Sequence, residues 1–258
     1  GIIGFIVASL ILSFYAIVAG WMIAFCLSSL ANLLGLSDLA AWLTTFGLPR
    51  NVLFMGIFIV FTIGLISAGV REGIERWSAR LMPALLATLF LLVAYVLTLD
   101  GAMEGLRVYL LPDFERALSP TLIIAALGAA FFSLSLGVGT MLIYGSYIND
   151  DENLPVVGGL VTLVDILIAV MAGFLVIPAM YVALHNGVDI FTATGELISE
   201  DTLIFTVLPE LFTTMGFAGI IVSFTFFFLM SIAALTSSIS MLEVPVAYVI
   251  EEHGLKRK

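Results

Sequence analysis

Residues 154–184 read LPVVGGLVTLVDILIAVMAGFLVIPAMYVAL, and Asp165 is the only charged side chain among them. A helix needs about 20 mostly apolar residues to cross the hydrocarbon core of a membrane, and this stretch exceeds that length. Five other runs without charge meet or nearly meet it, at residues 1–37, 51–70, 81–99, 117–149 and 211–242. They do not alternate polar and apolar residues as the strands of a membrane barrel do. The sequence therefore predicts an all-α integral membrane protein, a single unit over residues 1–258, with spans at about 5–29, 51–70, 81–99, 120–148, 155–184 and 216–250.

Composition supports the membrane prediction and excludes several other classes. Of the 258 residues, 62% are hydrophobic and 11% are charged, whereas soluble domains carry about 25% charged residues. Because of this apolar composition, we expect a lipid bilayer as partner. The net charge of −10 is not typical of nucleic-acid binding, so we expect no nucleic acid as partner. Cys26 is the single cysteine, which excludes an intrachain disulfide and a cysteine-rich metal site.

The basic residues predict the orientation in the membrane. Residues 71–80 contain three arginines and residues 256–258 read KRK, and alternating spans place these two loops on the same side. Because Lys and Arg mark the cytoplasmic side, we predict a multi-pass protein of the plasma membrane (the inner membrane of a bacterium) with both ends of this sequence in the cytoplasm. The sequence opens without Met directly into an apolar run, so we expect a piece of a longer protein.

Asp165 lies about 15 Å into its span, near the membrane midplane. An ionised carboxylate there costs about 2.5–3.5 kcal/mol even on the mildest insertion scale. The functional interpretation is a cation ligand or proton carrier, and the alternative is a structural carboxylate capped by hydroxyls. For Glu243, a second acid within a span, an ion pathway and a hydrogen-bond hub both stay open; Pro245 will loosen the backbone beside it.

Two further segments combine polar or small residues with apolar spans. Residues 131–140 read FFSLSLGVGT, in which two glycines weaken a helix by about 1 kcal/mol each. Transporters use unwound segments of this kind to present backbone groups to ions and substrates. Residues 233–240 read AALTSSIS, with hydroxyls on one helix face that suit a hard cation such as sodium. Close helix packing through small residues is the alternative for both segments.

Several motifs in order along the chain resemble those of the neurotransmitter:sodium symporter family, the family that includes the bacterial leucine transporter. The matching motifs are Tyr15 with Trp21, Gly73–Arg76 followed by Met82–Pro83, Tyr109–Phe114, Phe131–Gly139 followed by Tyr144–Tyr147, and Leu235–Ser238. The resemblance runs through essentially the whole chain. It implies about the third to eighth helices of a twelve-helix inverted-repeat fold with a broken sixth helix.

The resemblance further implies a transporter rather than an enzyme, with two sodium ions as coupling ions and no other cofactor. One sodium site would use Ala233, Thr236 and Ser237, and the other would use Ser133 and Asp165. The first helix of the family fold would complete both sites. The first, second and ninth and later helices are not among these 258 residues, and we expect them as partners of this chain.

A substrate pocket and gates are also implied by the resemblance. The pocket would be formed by Tyr15, Phe132, Ser133, Ser135, Val138, Ser237 and Met241. Tyr15 would hold the substrate carboxylate, and Phe132 would act as a lid toward the outside. Tyr147 and Glu251 would belong to the cytoplasmic gate, and the hinge positions would be Gly137 and Gly139 in the break and Gly73 and Pro83 near the third span. Gly73–Pro83 could instead be a simple boundary between loop and helix.

Substrate and ion dependence are the finer expectations. Many family members carry Asn where Asp165 stands, and chloride-independent members supply a carboxylate in place of bound chloride. Because Ala169, one turn beyond, cannot supply it, we expect Asp165 to do so and transport to be chloride-independent. The expected substrate is a neutral amino acid. The alternatives are a symporter for another amine or osmolyte, and a channel or membrane scaffold that transports nothing. An intramembrane enzyme is disfavoured, because His185 and His253 lie near span ends without metal-ligand spacing.

Overall fold

The computed structural model describes residues 2–67, 71–111, 113–146, 148, 153–192, 197 and 203–253. These residues form helices joined by short connections, together with one antiparallel bridge between Phe191 and Leu197. The helices are α1 (Ile2–Leu33), α2 (Ser37–Thr44), α3 (Leu48–Ser67), α4 (Arg71–Val96), α5 (Ala102–Leu110), α6 (Phe114–Ala117), α7 (Pro120–Ser133), α8 (Thr140–Gly145), α9 (Leu154–His185), α10 (Leu203–Thr214) and α11 (Phe217–His253).

Five helices of the described part, α1, α3, α4, α9 and α11, are long and apolar enough to cross a membrane. The predicted span at residues 120–148 contains two shorter helices, α7 and α8, with residues 134–139 between them. The predicted all-α architecture with a broken helix is therefore confirmed.

The segment from Gly73 to Pro83 is not unwound in this conformation. Both residues lie inside α4, which is helical from Arg71 to Val96. A proline removes one backbone hydrogen bond, and the bonds on either side are enough to keep the helix continuous here. The role of Gly73 and Pro83 as a hinge stays a prediction.

Helix α1 lies at the centre of the packing, against α2, α3 and α11. It runs antiparallel to α11, because the Phe5 ring is 5.5 Å from the Tyr248 ring while Cys26 Sγ lies 3.9 Å from the Phe224 carbonyl oxygen. Gly20 permits the close approach of α3: a Cβ atom there would lie 2.7 Å from the Phe54 carbonyl carbon. Small residues at such contacts are typical of helices that pack in lipid.

An aromatic cluster joins α10 to the same core. Phe205 of α10 lies 5.5 Å from the Trp21 ring and 5.1 Å from the Phe25 ring, and it stacks on Phe227 of α11 at 6.0 Å. Aromatic pairs at these separations stabilise packing beyond the area they bury. The cluster fixes one end of the α1–α11 pair.

Arg50 is buried at this end, although its side chain is charged. It is 2% exposed. Its Nε donates to the Leu43 carbonyl at 2.9 Å, its Nη1 donates to Asn51 Oδ1 at 3.0 Å, and its guanidinium lies 4.9 Å from the centre of the Phe46 ring. The backbone carbonyl and the ring supply the interactions that allow the cation to be buried.

The side chains of α7 and of the first half of α9 are not covered by other helices of the described chain. None of the α7 side chains is buried, and the buried side chains of α9 begin at Leu175. The first half of α9, which contains Asp165, is therefore largely exposed together with α7. In a membrane such apolar surfaces face lipid or further helices.

Candidate substrate and sodium site

The interruption between α7 and α8, residues 134–139 (the break), begins with a defined helix cap. The Leu136 N–H donates to the Phe131 carbonyl at 2.8 Å, and the Ser135 N–H donates to the Phe132 carbonyl at 3.1 Å. This bonding pattern is the Schellman motif, which requires a left-handed residue after the helix end. Ser135 occupies that position with φ of 53°, so a serine takes the place usually filled by glycine.

Two glycines continue the break after the cap. Gly137 and Gly139 have φ of 84° and 93°, a region that side chains other than glycine rarely adopt. Helix α8 begins directly afterwards, with the Ile143 N–H donating to the Gly139 carbonyl at 3.1 Å. The alternative of two small residues that merely improve helix packing does not explain these conformations.

A cavity of about 500 Å³ lies between the break, α1 and α11. All seven residues that the sequence predicted for the substrate pocket line it: Tyr15, Phe132, Ser133, Ser135, Val138, Ser237 and Met241. Tyr15 and Ser237 are close enough for their side chains to interact across it. Phe132 is 62% exposed.

Thr236, predicted for a sodium site, also lines the cavity, and the sequence interpretation missed the lining residues Ala8, Ile11, Phe131, Leu136, Thr140, Met141 and Ser240. Ala8, Ile11 and Tyr15 are spaced by three and four positions, so they share one face of α1. That spacing was a usable signal once Tyr15 had been identified. The sequence does not specify the path of the backbone through the break. It therefore could not indicate that Leu136, Thr140 and Met141 line the cavity.

The first proposed sodium set, Ala233, Thr236 and Ser237, lies on α11. Thr236 Oγ1 donates to the Ala233 carbonyl at 2.8 Å, so two of the oxygens are already adjacent. Thr236 and Ser237 also line the cavity. Next to them, Ser238 points into the protein: it is fully buried, its hydroxyl donates to the Leu235 carbonyl at 2.8 Å and it lies 3.3 Å from Thr62 Oγ1 of α3.

The second proposed sodium set links the break to α9. Ser133 Oγ donates to Asp165 Oδ1 at 2.7 Å, and Ser133 also lines the cavity. Asp165 is half-buried. An oxygen pair of one hydroxyl and one carboxylate therefore lies beside the point where the helix is interrupted.

Of the two residues predicted for the cytoplasmic gate, the structure describes only the helical backbone of Glu251. Tyr147 lies outside the described residues. Glu251 belongs to the last turns of α11, and its side chain is not among those described. Glu243 is buried on α11, which contains Pro245 without ending there.

Comparison with known proteins adds a family and a solved structure. The family model "Sodium:neurotransmitter symporter family" matches residues 32–258. The chain is 36% identical to the sodium-dependent transporter YhdH of Bacillus subtilis, over 100% of this chain and 56% of that protein. It is 34% identical to a sodium-dependent transporter of Haemophilus influenzae, over 98% of this chain and 54% of that protein. It thus spans about half the length of these relatives.

A similarity to a solved structure also covers nearly the whole of this chain and about half of the other chain. The crystal structure of MhsT in complex with L-phenylalanine superposes with a TM-score of 0.82 at 33% sequence identity. The superposition covers 99% of this chain and 56% of the MhsT chain. The predicted type of fold, part of a larger transporter with a broken helix, is confirmed by this similarity.

Proposed function

Because the chain belongs to the sodium:neurotransmitter symporter family, as its motifs predicted, we propose that the whole protein carries a neutral amino acid across the plasma membrane together with sodium. The 258 residues would supply one wall of the substrate pocket and part of each sodium site. The rest would come from the other helices of the transporter. The proposed activity involves transport only and no covalent chemistry.

The observation that carries this proposal is the cavity at the break. It combines polar groups at Tyr15, Ser133 and Ser237 with apolar side chains at Val138 and Met241. The tyrosine hydroxyl is able to donate to a carboxylate, and the apolar side chains suit an uncharged side chain. The similar MhsT structure contains L-phenylalanine, an amino acid of this type.

The Thr236 site would bind its sodium through oxygens alone. The Thr236 hydroxyl would turn its proton away from the Ala233 carbonyl, leaving two oxygens 2.8 Å apart that face the ion. That separation allows both to lie at about 2.4 Å from one cation, the distance seen for other hard ions. Ser237, the next residue, would contribute its oxygen to the same ion.

The Asp165 site would bind its sodium with a full negative charge. A carboxylate inside a membrane is costly alone, and a bound cation offsets much of that cost. Since the charge is supplied by the protein, a separate chloride is not needed there. We therefore infer that transport is chloride-independent.

Movement between outward-facing and inward-facing states would use the break and the two ends of the pocket. Gly137 and Gly139 would allow the backbone to bend, and Phe132 would cover the substrate from outside. On the cytoplasmic side, Tyr147 and Glu251 would form the gate, and loosening of α4 between Gly73 and Pro83 would admit water. Sodium would favour the outward-facing, substrate-accepting state by binding it more tightly.

The test is uptake of radiolabelled neutral amino acids by the whole protein in proteoliposomes. We expect uptake with an inward sodium gradient and little with an equal potassium gradient. Sodium-dependent uptake of amines or osmolytes, with none for amino acids, would favour the alternative substrates. A protein that neither binds nor moves any of these solutes in a sodium-dependent manner would have to be a channel or a scaffold.

A further inference from the structure

The face of α11 opposite Thr236 is tightly packed. Ser231, Ala234 and Ser238 are spaced by three and four positions, so they lie on one side of the helix. Their exposed fractions are 9%, 2% and 0%. Ser238 is two positions from Thr236, about 200° around the helix axis, so the two side chains point in nearly opposite directions. A change in how the buried face packs would therefore change the direction of Thr236.

Helix α3 supplies part of the surface against which this face packs. Ala234 shares a buried cluster with Phe58 of α3, and the Ser238 hydroxyl oxygen lies 3.3 Å from that of Thr62. Phe58 and Thr62 are 1% and 5% exposed. They are four residues apart, as are Ala234 and Ser238, so both helices advance by about one turn between the two levels. The two helices therefore run parallel here, and a rotation of α11 would disturb both levels.

The hydroxyl groups of Thr62 and Ser238 share a small set of hydrogen bonds. Thr62 Oγ1 lies 2.9 Å from the Phe58 carbonyl oxygen, and Ser238 Oγ lies 2.8 Å from the Leu235 carbonyl oxygen, each within its own helix. Two hydroxyl protons thus serve the two carbonyls and the contact between the helices, for which either hydroxyl can be the donor. Both side chains are buried, and a hydrogen bond shielded from water is electrostatically stronger than one in water.

We propose that Thr62 and Ser238 are positioning residues, which hold α11 in the rotation that presents the Thr236 site to sodium. This inference rests on the proposed function. A rotation of α11 by about 10° moves an oxygen that lies about 5 Å from the helix axis by about 0.9 Å. The groups of a binding site need to be held to within about 0.5 Å of their working geometry. A small rotation is therefore enough to disrupt the site, and the contact between the two hydroxyls opposes it.

The test measures uptake by the whole protein in proteoliposomes over a range of sodium concentrations. Thr62→Val keeps the shape and removes the hydroxyl, and we expect the half-saturating sodium concentration to rise about 2- to 10-fold, the effect of losing one hydrogen bond. The maximal rate at saturating sodium should change much less. Thr62→Ser keeps the hydroxyl and should remain near the wild-type value.

Ser238→Ala tests the same contact from the other helix and replaces Thr62→Val if the valine variant does not fold. We expect a rise of similar size. The double variant should show no larger rise than either single variant, because each change already removes the contact.

Thr88→Val in α4 is the matched control. The Thr88 hydroxyl donates to the Ala84 carbonyl at 2.8 Å, the same bond to the fourth residue back that Thr62 makes with Phe58, in a partly exposed position. Its loss should leave the half-saturating sodium concentration at the wild-type value.

The outcomes separate this inference from the proposed function. If Thr62→Val and Ser238→Ala need no more sodium than wild type, the positioning role is refuted while the proposed function stands. A lower maximal rate or less folded protein, with the sodium dependence unchanged, also refutes it, since a merely structural role predicts that result. Single effects that add in the double variant refute the coupling of the two hydroxyls. Wild-type uptake that does not depend on sodium contradicts the proposed function itself.

Discussion

Asp165 places a carboxylate in the apolar middle of α9, where it accepts a hydrogen bond from Ser133. A neutral hydrogen bond offsets only part of the cost of an ionised group at membrane depth. The remaining cost favours the proposed role of Asp165 as a cation ligand over a role as a structural cap. Under the proposed function, the same charge would make an external anion unnecessary.

Changing Asp165→Asn in the whole protein should therefore create a requirement for chloride. We expect wild-type uptake to be equal in sodium chloride and sodium gluconate, and the variant to lose most uptake in gluconate and regain part of it in chloride. The measurement is initial uptake rate at fixed sodium. Asp189→Asn, the same change at an exposed position after α9, serves as the control and should behave like wild type. A wild type that already needs chloride contradicts the hypothesis.

The contacts of Arg50 require the planar shape of its guanidinium as well as its charge. The guanidinium bridges the Leu43 carbonyl and the Asn51 side chain and lies over Phe46, while its Nη2 is buried without a partner in the described part of the chain. A lysine has one compact ammonium group and cannot make both bonds and stack on the ring. The loss outweighs the small gain from removing one unpaired donor, because a buried ammonium needs several acceptors of its own.

We expect Arg50→Lys to lower the free energy of unfolding of the whole protein by about 1–3 kcal/mol. The readout is the thermal unfolding midpoint in detergent. Arg107→Lys on α5, where the side chain is exposed, is the matched control and should shift the midpoint little. Equal shifts for the two variants would show that the bonds of Arg50 contribute little.

At the scale of the element, the break is a turn with a defined conformation. Its cap at Ser135 is fixed by two backbone hydrogen bonds, and Gly137 and Gly139 both have positive φ. Gly137 has open space around its Cβ position, so conformation alone restricts it to glycine. This allows backbone strain to be tested without a steric clash.

Gly137→Ala should disfavour the observed backbone by about 1–2 kcal/mol. We expect sodium-dependent uptake to fall about 5- to 30-fold as a consequence of that free-energy difference. Gly128→Ala, in the middle of α7 and also with open space, is the control: it should leave uptake intact and stabilise the helix by up to about 1 kcal/mol. If both variants transport like wild type, the conformation at Gly137 is not required for transport.

The elements were more predictable from sequence than the details of the site. Glycines in an apolar run indicate a break, so the interruption near Gly137 was expected. The left-handed Ser135 was not, because serine rarely takes that conformation and only the cap bonds impose it. Ala8 and Ile11 share a helix face with Tyr15, but they were missed because apolar residues in an apolar helix do not by themselves indicate a pocket. The burial of Arg50 was not predicted either, because it depends on how the connection between α2 and α3 brings the Leu43 carbonyl and the Phe46 ring against the guanidinium.

At the scale of the whole molecule, one proposed sodium site joins two helices, and the other borders the cavity between several elements. Ser133 with Asp165 connects α7 to α9, and Thr236 on α11 faces the cavity that α1 and the break enclose. A ligand that bridges elements binds the folded state only, so it stabilises that state by mass action. Sodium should act as such a ligand even without substrate.

The whole protein should therefore unfold at a higher temperature in sodium than in potassium at equal ionic strength. At a sodium concentration 100 times its dissociation constant, the gain is about 2.7 kcal/mol per site. The measurement is a thermal unfolding series over sodium concentration, with total salt kept constant by potassium. A midpoint that does not respond to the exchange of ions would contradict specific sodium binding.

The length of α11 has a mechanical consequence. Its apolar part, Phe217–Ile250, has 34 residues and is about 51 Å long, whereas the hydrocarbon core is about 30 Å thick. Tilt alone would have to exceed about 50°, beyond the usual range, so one end of the helix extends past the core, and the helix stays continuous through Pro245. A rotation of about 5° around the level of Thr236 would then move Glu252 by about 2 Å. If sodium binds at Thr236 as proposed, α11 would connect that ion, deep in the bilayer, to the water-exposed surface in the manner of a lever.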